Sequence, residues 1–382
     1  MKILVIPDSF KGSCSSREAG RRIAAGIGTV FPDALIVRLP VADGGEGTVD
    51  AVLEGGGGKR KCLTVRGPMG EAVSAGYGLL DGGRAVIEMA EASGLTLVPE
   101  AVRNPLLTST YGTGELVRDA IDEGCDEILI GIGGSATNDG GMGMAAALGY
   151  RFLDSKGDAL ECRGGALSRI ARIDASGADP RLKSKSLRMY VACDVSNPLT
   201  GPSGASAVFG PQKGATPEMV RELDAGLVNL ASLARRDLGV EMESVPGAGA
   251  AGGLGGGLIA FAGARLESGI EAILDLVRFD ECLDGADLVI TGEGAIDGQT
   301  KFGKVPVGVA RRAGARGVPT VALVGEIREG AEVVYDLGIR AIFCIMDRAM
   351  SLDSAMKDAG PLIEAAAARL GRAIKMGIEL NK

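Results

Sequence analysis

The stretch Leu288–Pro306, LVITGEGAIDGQTKFGKVP, carries the pattern that most limits how this chain can fold. The apolar run Leu288-Val289-Ile290 predicts a buried strand. Glycines, two carboxylates (Glu293, Asp297) and two lysines (Lys301, Lys304) follow, and a helix is expected to begin near Pro306. A strand running into a glycine-rich turn and then a helix is the building unit of parallel α/β sheets. It is also an anion-binding geometry, because backbone N–H groups and the positive end of the helix dipole face the turn. The carboxylates could hold a metal and the lysines could neutralise phosphate. Gly298–Lys304 matches G-x-x-x-x-G-K, but Val305 stands where that phosphate loop needs Ser or Thr to reach magnesium. The plain alternative is a tight turn with glycines at positive φ and solvated lysines.

The same alternation recurs at both chain ends. Strands are expected at Lys2–Ile6 and Ala34–Leu39, with helices at Ser15–Ile27 and Glu46–Leu53. From Ala286 the pattern returns: strand Asp287–Ile290, helix Val307–Ala315, strands Pro319–Val324 and Ala341–Cys344, helix Asp353–Leu370. Between these ends the connections shorten. Lys61–Val65, Ala72–Leu79 and Arg84–Met89 read as antiparallel strands joined at Gly67-Pro68 and Asp81-Gly82-Gly83. Further on, helices are expected at Tyr111–Glu123, Gly141–Leu148, Pro217–Leu233 and Leu254–Ala264, and strands at Glu127–Ile132 and Arg188–Cys193. The simplest α/β architecture is a parallel-sheet domain built from residues 1–62 and 283–382, with a mixed α/β domain, 63–282, inserted. The active site is then expected in the cleft between them, near the carboxyl ends of the strands.

Composition narrows the function. The 382 residues contain no histidine, which excludes Ser-His-Asp and Cys-His nucleophile systems and most zinc sites. Proton transfer falls to carboxylate, lysine, tyrosine, cysteine or water. The net charge is −8 and no basic run is present, so nucleic acid is not an expected partner. The seven cysteines are scattered singles without C-x-x-C, as in a reduced cytoplasmic protein. The first residues, MKILVIPDSFKG, read as a strand rather than a signal peptide. Val245–Ala264 carries no charge, but its many glycines argue for a loop feeding a helix, not a membrane span.

Five strand ends carry a carboxylate or amide, four of them together with glycine. They are Asp8-Ser9-Phe10-Lys11-Gly12, Asp43-Gly44-Gly45-Glu46-Gly47, Gly133–Gly141, Asp194–Pro198 and the opening stretch. Such mouths are where parallel sheets collect ligands. Gly133–Gly141 is the best phosphate cradle, though Asn138 and Asp139 are also ordinary helix caps. Lys11 is either a phosphate contact or a solvated loop lysine. Gly247–Gly252 matches G-x-G-x-x-G, but no strand precedes it and a dinucleotide site is not supported.

These loops, in this order, resemble the glycerate kinase type 1 family over essentially the whole chain. The motifs are DSFKG, PVADGGEGT, GIGGSATNDGGMG, CDVSNPLTGPSGA, FGPQKGA, AGGLGGGL and TGEGAIDGQT. The resemblance implies ATP-dependent phosphorylation of D-glycerate to a phosphoglycerate; 2-phosphoglycerate is favoured over 3-phosphoglycerate because many members of the family make it, and the sequence itself does not separate the two. It also implies a flavodoxin-like parallel-sheet domain with an inserted α/β domain. Phosphoryl transfer needs positioning and charge neutralisation. With no histidine, Asp194 is the expected base, beside Asn197. Lys11 and Lys304 are expected to neutralise phosphate or the glycerate carboxylate. Ser9, Gly133, Gly134, Ser135, Thr137, Asn138 and Glu293 complete the expected binding set. Asp8, Asp43 and Asp297 are the expected holders of Mg2+, which ATP brings. A homo-oligomer is compatible with the sequence. An NAD(P) oxidoreductase is disfavoured because the first strand leads to DSFKG and not to a glycine fingerprint. A non-catalytic sugar-acid sensor is disfavoured because so many carboxylates serve an anionic ligand poorly.

Overall fold

A computed structural model describes residues 1–42, 44–45, 47–298, 300 and 304–380. Asp43, expected at the metal, and Lys301 lie outside the described residues. The chain divides into two compact units, Met1–Asp43 with Asp50–Gly57 and Gly269–Lys382, and Gly44–Val49 with Gly58–Ser268.

The first unit is a five-stranded, all-parallel sheet. Its spatial order is Ile339–Cys344, Thr320–Ile327, Leu288–Ile296, Lys2–Val5, Leu35–Arg38. Counted in chain order within this unit, the strands run 2-1-3-4-5. That is the flavodoxin-like order, whose ligand crevice opens at the carboxyl ends of strands 1 and 3, where the winding reverses. Helix Ser16–Gly28 starts because Ser15 Oγ accepts the Glu18 N–H at 3.2 Å. Its Ile23 and Ile27 face Ile3, Val5, Ile290 and Leu323 in one core with Ile363 and Leu370 of helix Ala359–Leu380. A Cβ on Gly26 would sit 2.2 Å from the Glu364 carbonyl, so the two helices can approach this closely only because a glycine stands there. On the sheet's other face, Val307 and Ala310 of helix Val305–Ala315 cover Ile296, Ala322 and Val324.

The strand expected to stop at Ile290 runs on to Ile296. Its parallel register with its neighbour continues through Gly292↔Leu323, Glu293↔Val324 and Ile296↔Ile327. The apolar run ends at Ile290, but the backbone pairing does not, because glycines lie where a side chain would collide. A Cβ on Gly292 would meet Leu323 O at 2.2 Å, and one on Gly325 would meet Gly294 O at 2.4 Å.

The second unit is a six-stranded mixed sheet ordered Arg265–Glu267, Arg188–Ala192, Glu127–Gly131, Arg84–Glu88, Ala72–Leu80, Lys59–Arg66. The first four strands are parallel and the last two antiparallel, as the short turns at 67–68 and 81–83 required. Strand Lys59–Arg66 pairs along its length with Ala72–Leu80, which carries residues 58–62 into this unit. Helices Gly269–Leu276 and Phe279–Leu283 belong to the first unit, where Arg312 binds Glu271 and Asp275 at 2.7 and 2.5 Å. Sequence pattern missed strand Arg265–Glu267 and the hairpin Arg151–Leu153 with Arg172–Asp174, all three residues long.

The glycine run AGGLGGGL begins inside Ala250–Ala262, where Ala251, Gly252 and Gly253 hold φ of 54°, 70° and 87° and interrupt the helix. The element directly before this run is the helical segment Ala234–Leu238 and not a strand, so it is not a dinucleotide fingerprint. It is a packing surface: Gly140 N–H donates to Gly252 O at 3.1 Å, and a Cβ on Gly252 would lie 2.0 Å from Thr137 O. Among the described residues no helix is long and apolar enough to cross a membrane, and all seven cysteines are unpaired.

Two substitutions separate the contact from the backbone strain. Gly263 also has a positive φ, 64°, but no neighbour within 4 Å. Gly263→Ala is expected to cost about 1 kcal/mol, the left-handed penalty alone. Gly252→Ala adds a backbone collision and is expected to cost about 3 kcal/mol or more. Urea unfolding midpoints check both; equal losses contradict the packing role of Gly252.

Candidate active site

A cavity of about 540 Å3 opens at the carboxyl edge of the parallel sheet. Six residues singled out from the sequence line it: Asp8, Ser9, Lys11, Glu293, Asp297 and Lys304. Asp8 and Ser9 follow strand Lys2–Val5, and Glu293 lies within strand Leu288–Ile296, so they flank the point where the winding reverses. The Ser9 N–H donates to Asp8 Oδ1 at 2.6 Å, and the Asp8 N–H donates to Gly292 O at 2.8 Å, which ties the two strand ends together.

Glu293 is only 5% exposed. Burial pushes its carboxyl up, against the pull of Lys304 and of a hydrogen bond from Thr300. Thr300 Oγ1 donates to Glu293 Oε1 at 3.0 Å, and Lys304 Nζ stands 3.5 Å from Oε2 and 4.0 Å from Asp297 Oδ1. The cation is therefore held between two carboxylates. The helix behind it offers less than the sequence implied. Lys304 is the residue before helix Val305–Ala315, Pro306 has no N–H, and the Val307 and Gly308 amides both donate to Lys304 O at 3.1 Å. The Lys304 side chain, rather than bare amides, supplies the positive charge here.

Among the described residues no group of three acidic or sulfur side chains could hold a metal on its own. Asp8, Glu293 and Asp297 line the cavity as separate carboxylates. That donor set fits Mg2+, which takes one or two carboxylates and completes its shell with phosphates and water.

In the second unit, neighbouring strands Glu127–Gly131 and Arg188–Ala192 pair through Gly131↔Ala192, which puts Gly133–Asn138 and Asp194–Asn197 at the same edge. Gly133 and Gly134 are exposed, whereas Ser135, Thr137 and Asn138 are turned into the protein. Thr137 Oγ1 and Asn138 Oδ1 have no hydrogen-bond partner among the described residues. Asp139 is wholly buried but well supplied: it accepts from the Thr110 N–H and hydroxyl at 2.8 and 2.9 Å and from the Gly141 and Gly143 amides at 3.1 Å each. Through the Gly141 and Gly143 amides it ties the loop to the start of helix Met142–Ala147, whose N-cap residue is Gly141, so its role is structural. Asp194 is half-buried and accepts from Ser268 Oγ at 3.4 Å; Asn197 Nδ2 donates to Ser203 O at 2.8 Å.

Two charged residues at this edge were missed. Glu88, 5% exposed at the end of strand Arg84–Glu88, accepts from the Val49 and Gly47 amides at 2.6 and 3.2 Å. Lys213 is 1% exposed. Its ammonium donates to Ser135 Oγ at 2.7 Å and Thr137 O at 2.6 Å, directly beneath the exposed glycines. Burial pushes its pKa down to about 7, opposed by the field of Asp139. The one available signal was a lone lysine between Gln212 and Gly214 in FGPQKGA.

The folded state binds Lys213's proton less tightly than the unfolded chain, whose lysine titrates near 10.5. Its stability contribution is therefore fully present above that value and is lost as pH falls toward 7. Lys213→Met is expected to remove this rise in unfolding free energy between neutral and alkaline pH. Denaturant titrations of both proteins at several pH values check it; identical pH slopes contradict it.

Residues 3–375 match the glycerate kinase family. A glycerate kinase from Halalkalibacterium halodurans is 52% identical over 367 residues, 96% of each chain. A glycerate 2-kinase from Escherichia coli (strain K12) is 46% identical over 379 residues, 99% of each chain. The fold matches a glycerate kinase 2 structure from Salmonella typhimurium LT2 with a TM-score of 0.89, at 48% identity and covering 99% of both chains.

Proposed function

The chain belongs to the glycerate kinase family, and on that premise we propose that it is a type 1 member that phosphorylates D-glycerate with Mg-ATP to give 2-phosphoglycerate. The observation that carries this reading is Lys304 held between Glu293 and Asp297 beside Asp8, where the sheet's winding reverses. A buried carboxylate, a fixed cation and further carboxylates are what a phosphate chain with its metal requires. The choice of the 2-phosphate is supported by the glycerate 2-kinase name of the Escherichia coli relative.

In the parallel-sheet unit, Lys304 and Lys11 neutralise phosphate oxygens, and Glu293 fixes Lys304 against Thr300. Asp8 and Asp297 are the cavity carboxylates for Mg2+, and Asp43 joins them on its place in the sequence alone. Bound with ATP, that ion would offset the charge on the phosphates. In the mixed-sheet unit, the exposed Gly133 and Gly134 amides take an anionic group of the acceptor, and Ser135, turned inward, holds their loop from beneath. Thr137 and Asn138 act from below as positioning residues, and Lys213 orients Ser135. Asp194, held from Ser268, accepts the proton of the attacking hydroxyl, and Asn197 stands beside it. Without histidine in the chain, a carboxylate is the natural group for this step.

An ADP-release assay with Mg-ATP and D-glycerate tests the reading. Release that requires D-glycerate is expected; none above background contradicts it. In the same assay Asp194→Asn is expected to lower turnover by about a hundredfold or more while leaving the KM for glycerate near its original value. Undiminished turnover contradicts the assignment of the base.

A further inference from the structure

The cavity in the parallel-sheet unit has two unlike ends. One is ionic, with Asp8, Lys11, Glu293, Asp297, Lys304 and Arg328. The other is formed by the segment that follows the last strand, Ile339–Cys344, and continues into helix Leu352–Lys357. This segment contains Asp347, Arg348, Asp353, Lys357 and Asp358, yet none of them lines the cavity. What it turns inward is Ile345, Met346, Met350, Leu352 and Met356, with alanines between them. Polar residues were available along this stretch and every one faces elsewhere.

Two of the inward residues are poorly covered: Leu352 is 71% exposed and Met346 is 37% exposed. Large apolar side chains left in water at the rim of a concave site mark a surface made to be covered. Met356 lies over the loop after the first strand, its Cε 2.9 Å from where a Cβ on Gly12 would stand. The cavity thus runs from the carboxyl ends of the first and third strands of this sheet to the residues after its last strand. Its volume, about 540 Å3, is that of a site for a small organic ligand.

Such a split suits one component of the reaction. Glycerate carries oxygen on every carbon and has no use for an apolar wall. A nucleotide has a flat, uncharged ring at one end and charged phosphates at the other. The chain has no tryptophan and few aromatic residues, so an aromatic stacking platform is scarce: Phe10, which lines the cavity, is itself only 3% exposed. Methionine fills that role, because its polarisable sulfur packs favourably against aromatic rings and its flexible stem moulds to them.

We propose that the wall formed by Ile345, Met346, Met350, Leu352 and Met356 seats the purine base of the nucleotide, with the phosphates directed toward Lys304 and Glu293. This rests on the kinase reading above and adds the location of the base. The test uses binding of Mg-ADP by calorimetry, together with steady-state kinetics, on the full chain and on Leu352→Asp and Met350→Asp. Leu352 is exposed, so its variant keeps the fold, and circular dichroism and melting temperature verify this for both. Each variant is expected to bind Mg-ADP about tenfold or more weakly, with the KM for ATP rising in parallel and that for D-glycerate unchanged. Nucleotide affinity equal to the parent's in both variants, or a rise confined to the KM for glycerate, overturns the placement while leaving the kinase reading intact. If the parent neither binds Mg-ADP nor phosphorylates glycerate, the kinase reading falls and takes the placement with it.

Discussion

Backbone meeting backbone, with no side chain between, is the constraint on which both units depend. In the parallel-sheet unit, Gly292 and Gly325 let the third strand in chain order stay paired past its apolar run, which delivers Glu293 from a rigid strand rather than a loop. In the mixed-sheet unit, Gly131 would place a Cβ 2.3 Å from Gly44 O, and Gly252 one 2.0 Å from Thr137 O. Several of the chain's 61 glycines thus permit close backbone approach, these strand ends among them. Chemistry-bearing residues can then stand on fixed backbone instead of on long loops.

Buried ionisable groups sort by how fully they are compensated. Asp139 takes four donors and Glu88 two backbone amides, and each holds a helix start or a loop in place. Glu293 receives one hydroxyl and stands 3.5 Å from a half-exposed lysine. Lys213 has two neutral acceptors and no carboxylate within ion-pair reach among the described residues. A charge buried without full compensation weakens the fold. Its persistence at a strand mouth is best explained by a ligand that completes it.

Alternation of strands and helices at both chain ends made the 2-1-3-4-5 sheet legible, since short apolar runs with glycine turns leave few other solutions. The antiparallel strands were legible from their turns. The third strand's length was not, because pairing through Gly292 and Gly294 leaves no apolar signature. The three-residue strands were too short for any period to register. At the candidate site, Asp8, Lys11, Glu293, Asp297 and Lys304 stood out because carboxylates and lysines at glycine turns are conspicuous. Lys213 did not, since a single lysine in a loop is ordinarily solvated, and only the fold shows that its ammonium is enclosed.

The type 1 glycerate kinase account predicts where the new bond forms, and phosphorus NMR of the product reads this directly. With Mg-ATP and D-glycerate the ester signal should be a doublet, because phosphorus on the 2-oxygen couples to a single carbon-bound hydrogen. A triplet would place the phosphate on the 3-oxygen and contradict the regiochemistry. Absence of any new ester signal alongside unchanged ATP would contradict the account itself.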